Sequence, residues 1–203
     1  MKLFFDFEFT GLHRGTTPIS LGIVADNLYF FYAEFTDYDR DQIEKEKDGG
    51  KFIKENVLSN LVLKEQELGE NDFMVFKKCD KPAIMKVRGT KEYVSEKLKE
   101  WIEGLDTDYI EMWGDCLHYD WVLFLDLFGY SAFDLPKKIY YIPFDICTLF
   151  KAKGIDPDIC REEFAKDLLS CFTKQNGSKM SIKHNALHDA DVIMYSYQTL
   201  MDM

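Results

Sequence analysis

The chain has 203 residues, 46% of them apolar and 15% aromatic, which is enough apolar material for one folded domain with a substantial core. Its formal net charge is -11, so it lacks the excess of Lys and Arg that sequence-independent nucleic-acid binding normally uses. Five cysteines without a C-x-x-C pair argue against a disulfide scaffold and a thiolate zinc site, and favour the reducing cytoplasm. No apolar stretch is long enough to cross a membrane.

Three strands are predicted near the N-terminus, over residues 2–9, 19–25 and 28–35. A two-residue connection, Asp26-Asn27, joins the second strand to the third, and both residue types tolerate the positive φ angles of a tight hairpin turn. The opening of the chain is therefore predicted to be an antiparallel meander. Its first strand carries two acids, Asp6 and Glu8, among apolar residues.

Residues 36–90 differ in composition from their surroundings, because they contain long charged runs. We interpret them as an insertion within a single domain that covers residues 1–203. Inside this insertion the sequence predicts a helix over 52–61 and short strands or extended segments over 73–76 and 84–87.

Helices and strands alternate in the rest of the chain. Helices are predicted over residues 90–103, 119–128, 145–151 and 185–201, and strands over 109–113 and 139–142. Thr90 is expected to cap the first of these helices. A meander followed by alternating helices and strands predicts an α/β fold with a mixed central sheet flanked by helices.

The acidic pair in the first strand is the strongest functional signal. Side chains two residues apart in a strand point to the same face, so Asp6 and Glu8 are expected to lie side by side. Two buried acids repel each other, and a bound cation would remove that cost. The alternative is an edge strand whose acids face water.

Three further residues are candidates for the same site. Asp120 opens a predicted apolar helix, where an acid often only compensates the helix dipole. His184 precedes Asp189 by five residues, so both reach one site only if His184 lies just before the last helix. The alternative interpretation of this pair is a loop histidine and an ordinary surface acid.

Several neighbours of these residues are expected to have other roles. Asp191 is predicted to face solvent, because it lies two residues beyond Asp189 on the same helix. Asp145 is predicted to cap a helix or to support a metal ligand. His118 and His188 are predicted not to be catalytic, and Phe7, which alternates with the acids, is predicted to pack in the core.

Together Asp6, Glu8, Asp120, His184 and Asp189, with the H-x-A-x-x-D-A pattern over 184–190, resemble the DEDDh 3′–5′ exonucleases. Further segments resemble the RNase AS-like bacterial and phage exoribonucleases of that family, namely 19–25, 52–61, 110–113 and 119–120. The resemblance covers most of the chain and is weakest over 62–89 and 154–180. It implies a ribonuclease H-like fold.

The resemblance also implies a two-metal mechanism. Two Mg²⁺ or Mn²⁺ ions would be held by hard oxygen ligands from Asp6, Glu8, Asp120 and Asp189, and His184 would act as the general base. The expected reaction is hydrolysis of single-stranded RNA from its 3′ end to nucleoside 5′-monophosphates. Bound divalent ions would also offset part of the negative charge that speaks against nucleic-acid binding.

The loop after the acidic strand is where this superfamily grips the 3′-terminal nucleotide, which here implies Phe9, Thr10, Gly11 and Leu12. Backbone and apolar contacts from such a loop would stack the last base. Phe9 and Leu12 would otherwise belong to the core. Related enzymes are often homodimers, so a homodimer is a further expectation.

Two alternatives to an exoribonuclease stay open. A 3′–5′ DNA exonuclease would use the same residues, because it hydrolyses the same phosphodiester bond. A catalytically inactive nucleic-acid-binding module would keep the fold, since a fold does not fix an activity. An inactive domain, however, has no need to retain all five catalytic residue types.

Overall fold

The computed structural model describes residues 1–25, 29–45, 47–63, 68–78, 81–170 and 183–203. Within these residues the chain forms a seven-stranded mixed sheet flanked by helices. The strands are β1 Lys2–Phe9, β2 Pro18–Ala25, β3 Phe30–Phe35, β4 Asp72–Lys78, β5 Lys81–Gly89, β6 Glu111–Gly114 and β7 Phe144–Asp145. Their order across the sheet is β4-β5-β3-β2-β1-β6-β7.

The described helices lie between and after the strands. They are α1 Arg40–Lys45, α2 Lys47–Phe52, α3 Lys91–Gly104, α4 Asp120–Asp126, α5 Ile146–Ala152, α6 Arg161–Phe164 and α7 Ala186–Asp202. A π-helical turn over Ile53–Val57 and a 3-10 turn over Leu58–Asn60 continue α2. Among the described helices, not one combines the length and the apolarity needed to cross a membrane.

The predicted meander is confirmed, because β1 pairs antiparallel with β2 and β2 pairs antiparallel with β3. The predicted turn at Asp26-Asn27 lies outside the described residues. On the other side of β1, strands β6 and β7 continue the sheet in parallel. Strand β1, which carries the two acids, is therefore a central strand with a neighbour on each side, and its acids do not lie on a sheet edge.

The alternation along β1 separates the two cores of the molecule. Leu3, Phe5 and Phe7 are buried in the core that also contains residues of α3 and α4, as predicted for Phe7. Phe4 packs in the second core, with residues of α5 and α7. Asp6 and Glu8 continue the face of Phe4, so both acids point toward α7.

Helix α7 comes very close to the sheet at Gly22. This glycine is the β2 partner of Asp6 in the β1–β2 pair. A Cβ atom added to Gly22 would lie 2.3 Å from the Ala186 carbonyl oxygen and 2.4 Å from the Leu187 Cα. Only glycine permits this approach, and the approach brings the beginning of α7 next to the acidic strand.

Local signals placed several helices correctly. Thr90 caps α3, and its side chain accepts the N–H of Tyr93 at 3.4 Å. Asn185 caps α7. The predicted helix over 52–61 overlaps the continuous helical segment 47–60, which is π-helical over Ile53–Val57 and ends one residue earlier than predicted.

The predicted strand over 139–142 is wrong. Ile139 makes only an isolated bridge to Ile110, and the strand forms at Phe144–Asp145, which pairs with Trp113 and Gly114. Phe144 lies five positions after Ile139, whereas its partner Trp113 lies only three positions after Ile110, the partner of Ile139. The surplus residues bulge out of the ladder and interrupt the strand.

Candidate active site

The five predicted catalytic residues line one cleft of about 540 Å³. Strand β1 supplies Asp6 and Glu8, and the first residue of α4 supplies Asp120. Asp189 lies in the first turn of α7, and His184 precedes its capping residue. Segments that are far apart in the sequence therefore converge on one point at the face of the central strand.

Short contacts tie these groups together. The Nδ1 atom of His184 lies 3.8 Å from Oε1 of Glu8. Potential ligand atoms of Glu8, His184 and Asp189 all lie within 4.8 Å of one another. Asp120 accepts the backbone N–H of Phe7 at 2.9 Å, which fixes the start of α4 against β1. The cluster is thus anchored by the backbone of the strand that carries it.

Burial raises the pKa of each carboxyl in the cluster, and repulsion by the other acids of the cluster adds to it for Asp6 and Glu8. Burial and then the charges of Asp120, Asp189 and Glu8 hold the pKa of Asp6 well above its usual range. Burial, followed by Asp189 and Asp120, raises the pKa of Glu8 to about 8. Burial also raises the pKa of Asp189 to about 7 and that of Asp120 to about 6.

Within the described part of the chain, no Lys or Arg forms an ion pair with any of these four acids. At neutral pH the cluster must therefore hold protons or take up a cation from solution. The lack of a Lys or Arg partner distinguishes this cluster from a group of acids that only stabilises the fold.

His184 has an unusual backbone conformation. Its φ angle is +63°, in the left-handed region that residues other than glycine rarely adopt. The edge of its ring meets the ring of Phe52, with 4.9 Å between the ring centroids. Burial, followed by the charge of Lys183, lowers the pKa of the imidazole. The ring is therefore neutral at neutral pH and able to accept a proton.

Three of the four residues predicted to contact substrate line the cleft, namely Phe9, Gly11 and Leu12. Leu12 is 77% exposed, and Phe9 packs against Tyr119 with ring centroids 5.4 Å apart. The exposure of Leu12 contradicts the alternative that it belongs to the core.

Thr10 differs from its neighbours, because its side chain is fully buried. The Thr10 hydroxyl oxygen accepts the N–H of Thr17 at 2.9 Å, and the hydroxyl donates to Gln42 at 2.5 Å. The interpretation of Thr10 as a substrate contact is therefore wrong for its side chain, which instead fixes the loop that carries Gly11 and Leu12.

The opposite wall of the cleft was missed by sequence reasoning. It is formed by Phe52, Ile53 and Val57, from the end of α2 and the π-helical turn. Phe52 is 46% exposed, so a large apolar ring faces the cleft opening. The sequence offered an apolar residue after a charged run and a resemblance of residues 52–61 to RNase AS-like enzymes, and neither indicates that this helix faces the cleft.

A second acidic cluster borders an adjoining cleft of about 500 Å³ that also reaches Asp6, His184 and Asp189. Its ligand atoms, from Asp115, Asp145 and Cys147, lie within 4.8 Å of one another. Arg161 donates two hydrogen bonds to Asp115, at 2.8 and 3.0 Å. Asp145 accepts the N–H of Cys147 at 2.7 Å, which confirms its predicted role as a helix cap.

Asp191 corrects one prediction. It is half-buried, and burial raises its pKa to about 7, so it does not face solvent as predicted. Burial, followed by the charge of Asp191 one helical turn earlier, raises the pKa of Tyr195. His188 is buried as well, and its Nε2 lies 3.6 Å from Oε1 of Glu162.

Comparison of the sequence with protein-family models and with curated proteins finds no significant match. What this protein does must therefore be inferred from the chemistry of the cleft. The features that bear most directly on that chemistry are the four uncompensated carboxylates and the neutral histidine beside them.

Proposed function

We propose that this protein is a metal-dependent 3′–5′ exoribonuclease that hydrolyses single-stranded RNA to nucleoside 5′-monophosphates. The observation that carries the proposal is the convergence of Asp6, Glu8, Asp120, His184 and Asp189 on one cleft. These are the residue types, in the chain order, of the DEDDh exonucleases that the sequence resembles. Its location in the cytoplasm and its assembly as a homodimer stay predictions.

The sheet supports the finer proposal of a ribonuclease H-like fold. Five of its strands follow the order β3-β2-β1-β6-β7, in which β1 to β3 are antiparallel and β6 and β7 run parallel to β1. The β4–β5 hairpin extends this sheet beyond β3. The acids lie on the central strand, at the face covered by the last helix.

The donor set fits a pair of divalent ions. Four carboxylates offer only hard oxygen ligands, as Mg²⁺ and Mn²⁺ prefer, and burial raises the pKa of each of them, so a bound cation would offset the cost of their ionised forms. Two such ions, held by Asp6, Glu8, Asp120 and Asp189, would supply positive charge that stabilises the reacting phosphate in the transition state.

The protein's own groups perform the remaining tasks. Neutral His184 accepts the proton of the attacking water, and Glu8, 3.8 Å from its Nδ1, stabilises the imidazolium that forms. Phe9 and Leu12 on one wall and Phe52 on the other offer apolar surface for stacking a terminal base. A paired 3′ end would have to separate before its base entered, so single strands are the preferred substrate.

Digestion of RNA and DNA of equal sequence, labelled at the 5′ end, tests the proposal in Mg²⁺, in Mn²⁺ and in EDTA. We expect the labelled RNA to shorten one nucleotide at a time with a metal ion, and to survive in EDTA. Circular RNA of the same sequence should resist, because it has no 3′ end.

Other digestion results would favour one of the alternative functions. Faster digestion of DNA would favour the DNA exonuclease, and rapid cleavage of the circle would indicate an endonuclease. Binding of RNA without any hydrolysis in either metal ion would indicate an inactive binding module.

A further inference from the structure

The backbone on both sides of His184 is held by two asparagine side chains. Asn60 donates from Nδ2 to the carbonyl oxygen of Lys183 at 2.8 Å. Asn185 donates from Nδ2 to the carbonyl oxygen of Asn60 at 3.0 Å. His184 lies between these two attachments in its left-handed conformation. Such a conformation persists only where the surroundings fix it, and this reciprocal pair is placed to do so.

A buried polar network anchors both halves of the pair to strand β3. Asn185 also donates to the hydroxyl oxygen of Tyr32 at 3.4 Å, and Tyr32 in turn donates to Glu34 at 2.8 Å. The same Glu34 oxygen accepts the N–H groups of Val62 at 2.6 Å and Leu63 at 2.9 Å. Glu34 is only 4% exposed, so the network lies in the interior. The chain around Asn60 and the chain around Asn185 are therefore both attached to buried side chains of strand β3.

The helical segment 47–60 also forms one wall of the cleft. The ring of Phe52 lies nearly perpendicular to the imidazole ring of His184, and Ile53 and Val57 line the cleft beside it. Asn60 ends this segment. This helical segment therefore contacts the His184 ring through Phe52 and, at its end, holds the backbone beside His184 through Asn60.

We propose that Asn60 and Asn185 form an asparagine clamp, a positioning pair that fixes the His184 imidazole beside Glu8. Through this clamp the placement of the imidazole depends on the cleft wall over residues 52–60. The inference rests on the proposed role of His184 as proton acceptor. The pair acts only through His184, because its hydrogen bonds go to backbone atoms of Lys183 and Asn60.

The two functions of Asn185 can be separated by mutation. Its side-chain oxygen caps α7 by accepting the N–H groups of Leu187 at 3.2 Å and His188 at 3.3 Å, whereas its nitrogen makes the clamp. Asn185→Ser keeps an oxygen that caps helices well and removes the nitrogen. Asn60→Ala removes the other donor and leaves the backbone carbonyl in place.

Single-turnover digestion of the labelled RNA tests the pair in the full-length chain. We expect Asn60→Ala and Asn185→Ser each to lower the maximal rate by about tenfold, with the half-saturating concentration of protein changed less than about twofold. In a His184→Ala background the same substitutions should cause no further loss. Thr199→Ala is the matched control, because its hydroxyl donates to the carbonyl oxygen of Tyr195 within α7, at 2.9 Å, and Thr199 does not line the cleft.

A readout without metal or substrate separates this inference from the proposed function. Ring NMR signals of His184, assigned by their loss in His184→Ala, should be single and sharp in the wild type. They should broaden or split in Asn60→Ala and Asn185→Ser, and stay unchanged in Thr199→Ala.

Unchanged His184 signals in both clamp variants would overturn the inference, as would equal losses of rate with and without His184. If the wild type hydrolyses neither RNA nor DNA, the proposed function fails, and the NMR comparison alone decides whether the clamp exists.

Discussion

Two groups of carboxylates border neighbouring clefts, and the protein compensates their charges in different ways. In the second cluster, Asp115 is bound by Arg161 through two hydrogen bonds, and Asp145 accepts backbone N–H groups. In the first cluster, Asp120 accepts a backbone N–H and the imidazole of His184 lies 3.8 Å from Glu8, but among the described residues no Lys or Arg forms an ion pair with any of the four acids. Proximity of acids alone therefore does not distinguish a metal site from a structural cluster.

The difference shows which property does distinguish them. A cluster that the chain neutralises by itself stabilises the fold, and a cation would have to displace Arg161 to bind there. A cluster that keeps its repulsion stores an unfavourable energy that a bound cation relieves. The first cluster thus has the properties of a binding site, and the second has those of a support for the start of α5.

The largest expected effect is loss of activity on replacing an acid of the first cluster. Asp6→Asn should reduce hydrolysis of RNA to background, because it removes a central ligand. The metal-free variant should be as stable as the wild type or more stable, because repulsion is relieved. Asp115→Asn should have the opposite profile and lower the free energy of unfolding by about 1–3 kcal/mol.

Chemical denaturation in EDTA and digestion in Mg²⁺ measure both variants. The comparison fails if Asp6→Asn keeps full activity, or if both substitutions shift stability in the same direction.

The second prediction concerns the histidine that only the first cluster contacts closely. His184→Ala should lower the rate of hydrolysis by about 10²- to 10⁴-fold, the usual contribution of a positioned acid or base, and should largely spare metal binding. His188→Ala serves as the control, since that side chain pairs with Glu162. A crippled His188→Ala beside a normal His184→Ala would show that the motif is misaligned.

A third substitution displaces the first cluster without altering any of its acids. Gly22→Ala places a methyl group against the backbone of Ala186 and Leu187, where no flexible side chain can give way. We expect a loss of about 1–3 kcal/mol in the free energy of unfolding, typical of overpacking, together with reduced activity as α7 moves away from β1.

Gly69→Ala is its control, because among the described residues, its two chain neighbours aside, no atom lies within 4 Å of the position where that Cβ would stand. Thermal or urea denaturation decides the matter, and equal stabilities of the two variants would contradict the close approach of α7.

The last prediction concerns the pH dependence of stability, which needs no substitution to measure. The carboxyls of Glu8, Asp189 and Asp120 have pKa values raised to about 8, 7 and 6. The folded state therefore binds more protons than the unfolded state above pH 4, so stability falls as the pH rises from about 4 to about 8. Each pKa unit corresponds to about 1.4 kcal/mol.

Urea denaturation of the metal-free protein at pH 5 and pH 8 measures this slope, and saturating Mg²⁺ should reduce it. A metal-free protein that is more stable at pH 8 than at pH 5 would show that the first cluster is compensated after all. Glu8→Gln should flatten the slope, because it removes the group with the pKa of about 8.

Local sequence signals predicted much of the site. The spacing of Asp6 and Glu8 fixed their common face, since strand periodicity acts within a few residues. Thr90 and Asp145 were recognisable as caps, because a cap bonds to the backbone two or three residues away. The five catalytic candidates came from a pattern of residue types and were then found together in the cleft.

The missed features depend on contacts between distant parts of the chain. Asn60 and Asn185 are separated by 125 residues, and nothing near either residue indicates the other. The burial of Asp191 depends on what covers α7, and the interrupted strand after Ile139 depends on its register with β6. Thr10 was assigned from its neighbours, although a fully buried hydroxyl within the loop decides its role.

The contact between Gly22 and the beginning of α7 has a consequence for synthesis of the protein. Asp6 and Glu8 belong to the first strand, whereas His184 and Asp189 arrive only with the last helix. During translation the early strands leave the ribosome with their acids exposed and without the partners that complete the cluster. A nascent chain is therefore unable to assemble the proposed catalytic set until α7 docks on Gly22, so the proposed hydrolysis would begin only after synthesis of this region is finished.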